Sequence, residues 1–408
     1  MDKGANRVTH DRMMEALAIF TSNEVIPENS VSTNSGESCR GGSSSSSQSK
    51  SGSSSTSSAS SSSNSRAASS SSASSSKKEV MMGGTLLRNI ILGNVWGNDY
   101  KAAAAKPPEG LSEYYKKSNF PPDFDTWRLN DSQRQVIRSV LTRRLTLIQG
   151  PPGTGKTFTA IHLMRLLVHL CKSRVPVLCT ADTNVAVDNL LQGLSDFGIR
   201  ALRVGRPVKV REELRGLSLD AQILAHPRTA ELTKLRDRTV ELSNQIPELK
   251  DSAKYDALVS QLKSKATVKS SNLFTSKRNI AHMDLQSTWA KLKELESRIA
   301  KEILDGAQVI CATCIGAGHE LLRNRQFPIV ILDDTFVLPT LESTQATEPA
   351  SLCPLVHGSK HVVLMGDHFQ LPPTVISPKG QEGGLGESLF SRLIKLGITT
   401  HMLEIQYR

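Results

Sequence analysis

The stretch LTLIQGPPGTGKTFTAIHLMRLLVHL, residues 145–170, decides how the rest of the chain is read. It opens on LTLIQ, a short apolar run of the kind a parallel strand covered on both faces requires. GPPGTGKT, residues 150–157, follows at once and fits G-x-x-x-x-G-K-[ST]. Beyond it, Ile161, Met164, Leu167 and Val168 recur at helical spacing. Strand, glycine loop and helix stand in the order a phosphate-binding loop needs. Gly150, Gly153 and Gly155 let the backbone curl so that successive N–H groups converge on one anion, with Pro151, Pro152 and Thr154 completing the loop. The helix that follows adds its positive end. Lys156 is placed to reach the β- and γ-phosphates of ATP, and the Thr157 hydroxyl to bind Mg²⁺.

Upstream, RLNDSQRQVIRSVL predicts a helix capped by Asn130 or Asp131, with Val136, Ile137 and Val140 turned inward. Gln133 sits in its first turn, close before the loop strand. Its amide both donates and accepts, as an adenine edge requires. Further strands show as short apolar runs: VPVLCTAD (175–182), QVICAT (308–313), PIVILD (328–333) and HVVLMGD (361–367). The expected fold is α/β, a parallel sheet with helices on both faces. Ligands of such sheets gather at the carboxyl ends of the strands. Thr183, Asn184, Thr313, Asp333, Asp367 and Gln370 are therefore expected along one edge.

Composition bounds the remainder. The chain has 408 residues and a formal net charge of +11, a balance that suits a polyanionic partner. From Gly41 to Ser76 it is nearly all serine, with too little apolar surface to offset chain entropy. Residues 1–78 are expected to be a disordered tail, carrying a transient helix at DRMMEALAIF and open to protein partners. No apolar run is long enough to span a bilayer, and no basic-then-apolar signal pattern opens the chain. The six cysteines show no framework spacing, so a reducing compartment, cytoplasmic or nuclear, is expected. Cys311 and Cys314 form a C-x-x-C without a second pair, which reads as buried strand rather than zinc site. Nothing points to a homo-oligomer.

Seven motifs occur in one order: LNDSQ, IQGPPGTGKT, TADTNVAVDNL, VICATCIGAG, VILD…ESTQATEP, VVLMGDHFQLPP and LEIQYR. Over residues 129–408 the chain thereby resembles superfamily 1 helicases of the up-frameshift type. It matches their first RecA-like domain and essentially nothing beyond it, so a truncated core without the second such domain is expected. The resemblance implies an ATP-dependent helicase acting on single-stranded RNA or DNA. It implies that Gln133 reads adenine, that Thr183, Asn184 and Thr313 touch the nucleic-acid backbone, and that Asp333 holds Mg²⁺ through water. It also implies that Gln370 senses the γ-phosphate and that Arg408 stabilises transition-state charge. Residues 226–303 match the position of an accessory helical subdomain, and residues 79–128 read as an irregular flank or partial stalk.

The acidic motif departs from the family. Its pattern runs Asp-Glu-Ser/Ala, but here the eight residues Asp334–Leu341 separate Asp333 from ESTQATEP. Without them the text reads VILDESTQATEP. A general base must lie within hydrogen-bond reach of the attacking water. Three outcomes stay open: Asp334 acts as the base, the insert loops out and returns Glu342 to position, or hydrolysis is lost and the chain binds ATP as a nucleic-acid scaffold. The insert itself is either a genuine loop or an unspliced coding artefact.

Within 226–303, Leu285, Trp289, Leu292, Leu295 and Ile299 recur at helical spacing, and Trp289 is expected to pack. YDALVSQLKSKA is expected to form an opposing helix. The basic loop VGRPVKVREELR (204–215) offers Arg206, Lys209 and Arg211 to phosphates.

Overall fold

In LTLIQ every residue is buried, and the same holds for VLCTA, IVILD and HVVLMG, because they form the middle of one sheet. The computed structural model describes residues 3–21, 86–95, 99–172, 174–206, 209–244, 269–333 and 345–407. The strands are β1 (Leu145–Gln149), β2 (Val177–Ala181), β3 (Ala201–Arg203), β4 (Val309–Thr313), β5 (Ile329–Asp333), β6 (His361–Gly366) and β7 (Thr400–Met402). They form one seven-stranded sheet ordered β3-β4-β2-β5-β6-β1-β7, and every neighbouring pair is parallel.

The side-chain period of two divides the core into layers. Ile148, Cys179, Cys311, Ile331 and Met365 face one layer, and Leu147, Leu178, Ile310, Leu332 and Leu364 the other. The first layer packs on α4 (Asp131–Val140), α5 (Lys156–Leu170) and α6 (Asn184–Asp196). Helix α5 is buried around most of its girth, beyond the single face that its periodicity suggested: Ala160, Leu163 and Leu166 are fully covered as well. Residues 111–129 join this layer through Leu111, Tyr115, Phe124 and Trp127.

The second layer packs on α1 (Lys3–Thr21), α2 (Leu86–Leu92), α3 (Tyr100–Ala104), α9 (Cys314–Ala317), α11 (Glu348–Leu352) and α13 (Leu389–Lys395). Shorter helices are α7 (Leu219–Ala225), α10 (Glu320–Arg323) and α12 (Pro378–Glu382), and α8 (Lys269–Gly306) is the longest among the described residues.

The transient helix expected in the tail is corrected. Helix α1 docks against α9 and α11, with Ala16 and Phe20 buried and Met13 and Leu17 partly so. These four residues form an i, i+3, i+4, i+7 stripe. Arg12 donates to the Ile315 carbonyl at 3.2 Å. The serine-rich tract and its expected disorder lie outside the described residues.

Trp289 is a second correction. Leu292, Leu295 and Ile299 of α8 pack against Leu232 in the helical run 229–244, but Trp289 is 55 % exposed. The spacing put Trp289 on the packed stripe; the packed part of that stripe begins one turn later. The expected helix at YDALVSQLKSKA lies outside the described residues.

A buried pair ties the flank to the sheet. His361 Nε2 lies 3.1 Å from the Val140 carbonyl, which only accepts, so that nitrogen carries the hydrogen. Nδ1 then accepts from the Tyr115 hydroxyl at 2.9 Å. Burial, opposed by the bond to Val140, lowers the imidazole to about 4. An unfolded histidine titrates near 6.5. Between those values the unfolded chain binds a proton that the folded chain refuses. This group's contribution is therefore complete above pH 6.5 and is lost as pH falls toward 4, by about 3 kcal/mol. Asp182 works with the opposite sign, since burial raises its carboxyl to about 6, so the measurement must be a comparison. In urea melts, His361→Gln is expected to lose about 3 kcal/mol less than wild type between pH 7 and pH 4.

Candidate nucleotide and nucleic-acid site

The loop between β1 and α5 has the conformation that its glycines predict. Gly153 and Gly155 have φ of +85° and +78°. Both values lie in the left-handed region that side chains avoid. Gly155 is also the N-cap of α5, and a Cβ there would lie 2.9 Å from Gln133 Nε2. Gly155→Ala is thus expected to strain the loop and displace Gln133, weakening nucleotide binding by about tenfold in a fluorescence titration.

Lys156 is buried, and its Nζ donates to the carbonyls of Gly150 at 2.6 Å and Pro151 at 3.2 Å. Burial pulls its pKa down, and the charges of Asp333 and Asp367 partly restore it. The Thr157 hydroxyl donates to Asp333 Oδ2 at 3.0 Å across 176 residues of sequence. Asp333 is itself buried at the end of β5. A threonine hydroxyl and a carboxylate side by side are hard oxygen ligands of the type Mg²⁺ takes. The chemistry of this donor set therefore fits the ion. Among the described residues no group of three His, Cys, Asp or Glu side chains is spaced to hold a metal by itself, and Cys311 and Cys314 are buried core.

The cap of α4 is Asn130, whose side chain accepts from Gln133 N at 2.7 Å while Gln133 Oε1 accepts from Asn130 N at 3.1 Å. This capping box holds the Gln133 amide against the loop, with Nε2 3.4 Å from the Thr154 carbonyl. Two residues that the motif reading passed over complete the rim. Tyr407 N donates to the Gly153 carbonyl at 2.9 Å and its hydroxyl accepts from Asn130 Nδ2 at 2.8 Å. Gln406 Nε2 donates to the Pro152 carbonyl at 3.3 Å.

Beside β5, Asp367 organises a cluster after β6. Gln370 Nε2 donates to Asp367 Oδ2 at 3.1 Å and Phe369 N to Oδ1 at 3.2 Å. Gln345 Nε2 donates to the Asp367 carbonyl at 2.6 Å. Gln345 belongs to ESTQATEP, so the chain beyond the acidic insert is anchored next to the strand that carries Asp333. Asp334, Glu342 and Arg408, three of the expected catalytic residues, lie outside the described residues.

Thr183, Asn184 and Thr313 reach the same carboxyl edge. Thr183 caps α6 by accepting from Ala186 N at 3.2 Å, and Thr313 caps α9 by accepting from Gly316 N at 3.0 Å. Asn184 Oδ1 accepts from buried Arg203 at 2.9 Å.

A glycine loop with a buried lysine, a threonine–aspartate pair and a glutamine cap, all on the carboxyl edge of a parallel sheet, defines a P-loop NTPase of RecA-like fold. A protein-family profile described as an AAA domain matches residues 128–378. The chain is 35 % identical over 335 residues to the ATP-dependent helicase upf1 of Schizosaccharomyces pombe, covering 79 % of this chain and 30 % of that protein. It is 36 % identical over 281 residues to the ATP-dependent helicase NAM7 of Saccharomyces cerevisiae, covering 69 % and 24 %. An uncharacterized ATP-dependent helicase of Methanocaldococcus jannaschii is 36 % identical over 301 residues, covering 70 % and 43 %. The chain belongs to this AAA-domain family, as the first RecA-like domain of a superfamily 1 helicase of the up-frameshift type. It spans less than half the length of each of these curated relatives. Among the described residues no helix is long and apolar enough to cross a membrane.

Proposed function

We propose that this chain is the ATP-binding and ATP-hydrolysing core of a helicase that moves along single-stranded RNA or DNA. The observation that carries the reading is the contact between Thr157 and Asp333, which joins the phosphate loop to the acidic strand at 3.0 Å. The backbone N–H groups of residues 150–157 hold the phosphates, and Lys156 turns from its carbonyl partners to the β- and γ-phosphate oxygens. Gln133 reads the adenine edge. Mg²⁺, when bound by Thr157 and Asp333, supplies charge neutralisation at the phosphates. Glu342, or Asp334 in its place, takes the proton of the attacking water. Gln370 senses the γ-phosphate and Arg408 stabilises the charge of the transition state. Thr183, Asn184 and Thr313 grip the strand through its backbone, so binding is sequence-tolerant and salt-sensitive. The protein works in the cytoplasm or nucleus, and the part of its N-terminal tail beyond α1 recruits protein partners.

The insert Asp334–Leu341 favours one second reading, ATP binding without turnover, because it separates the metal carboxylate from Glu342. The first test is a titration with a fluorescent ATP analogue. Binding by wild type is expected to tighten on adding Mg²⁺, and Asp333→Asn to lose that tightening. Equal, Mg²⁺-independent affinities in the two proteins would contradict the site.

A further inference from the structure

Arg203, at the end of the edge strand β3, is fully buried and charged. Its Nε lies 3.3 Å from Asp188 Oδ1, its Nη1 donates to the Val204 carbonyl at 2.6 Å, and its Nη2 donates to Asn184 Oδ1 at 2.9 Å. Asp188, buried on α6, accepts from Arg211 N at 3.0 Å through its other oxygen, with Arg211 Nε 4.0 Å away. Arg211 also donates to Asn189 Oδ1. Gly205 passes so close that a Cβ there would lie 3.0 Å from Arg203 Nη1.

Burying an ion pair costs desolvation that its attraction only partly repays, so such a pair is weak evidence for stability. Its geometry has a clear consequence. Arginine is donor-only, so the Asn184 amide must present oxygen to Arg203 and turn its NH₂ the other way. An NH₂ group is the end that suits a phosphate oxygen. Asp188, one turn along α6 from Asn184, meanwhile clamps the backbone of Arg211, two residues beyond exposed Lys209.

We propose that Arg203 and Asp188 are positioning residues that hold Asn184 and Arg211 together as one grip for the phosphate backbone of a single strand. This rests on the nucleic-acid reading above and extends it to residues that touch no ligand. Arg211 acts in this grip as a fixed cation.

The charge change separates positioning from bulk electrostatics. Asp188→Asn makes the protein more positive, so a purely electrostatic surface binds a polyanion as well or better. Positioning requires the opposite. The experiment is anisotropy with fluorescein-labelled oligo(U) across a salt series, on the full chain. Asp188→Asn and Arg203→Lys are each expected to weaken binding by about tenfold while keeping a cooperative thermal melt. Arg211→Gln is expected to flatten the salt slope by about 0.7, one phosphate contact on a single strand. Unchanged or tighter binding by Asp188→Asn overturns the proposal. Should Asp188→Asn not melt cooperatively, Arg203→Lys decides. It keeps the charge and removes the fork that orients Asn184, so retained binding overturns the proposal and lost binding supports it. Wild type that binds no oligo(U) at any salt overturns both this inference and the nucleic-acid reading.

Discussion

Lys156→Met is expected to lower ATP hydrolysis by about 10³-fold, the loss typical of removing a preorganised charge stabiliser from a dry site. The same change is expected to shift stability by only about 1 kcal/mol, because two effects oppose. Burial depresses the Lys156 pKa, so the fold tolerates this charge at a cost, and methionine removes that cost. Methionine also removes the donor to the Gly150 and Pro151 carbonyls. A kcat measurement beside a urea melt separates the two effects. A large fall in stability with unchanged kcat would mean that Lys156 is a structural cation, and the phosphate loop would lose its assigned work.

Deleting Asp334–Leu341 is the second large effect. The deletion restores VILDESTQATEP and returns Glu342 to the position next to Asp333. A correctly placed general base contributes about 10²–10⁴-fold, so kcat is expected to rise by about 10²-fold. Glu342→Gln in the deleted chain is expected to remove the gain, while Asp333→Asn removes turnover in both chains. The described residues on either side are each anchored. Asp333 is fixed in β5 by its strand neighbours, and Gln345 is fixed by its bond to the Asp367 carbonyl.

What was legible in the sequence follows from how local each signal is. The five central strands were readable because a strand buried on both faces is apolar at most positions, with polar residues confined largely to its ends. The phosphate loop was readable because its glycines, lysine and threonine fall within eight successive residues. The pairing of Thr157 with Asp333, which spans 176 residues, was reachable only because the loop motif and the family resemblance assign both to one Mg²⁺. Helix α1 was illegible as a docked element. A stripe of Met13, Ala16, Leu17 and Phe20 looks alike in a free tail and on a surface, and what decides is the face of α9 and α11. Trp289 misled for the same reason, because helical spacing says which side of α8 it occupies but not where the covering residues end. The Arg203–Asp188 network left one readable trace: Asp188 is the acidic residue among the otherwise apolar inward positions of TNVAVDNLL. A charge there needs a buried partner, and the partner came from β3.

The central claim is ATP turnover driven by a single strand, and one measurement reaches it most directly. ATP hydrolysis is followed with and without poly(U) on the intact chain, on the chain lacking Asp334–Leu341, and on Lys156→Met as the blank. The account predicts turnover above the blank in both active chains, stimulated by poly(U) and faster after the deletion. Turnover equal to the blank in both chains, with the nucleotide still bound, would contradict it and leave an ATP-binding protein that does not hydrolyse.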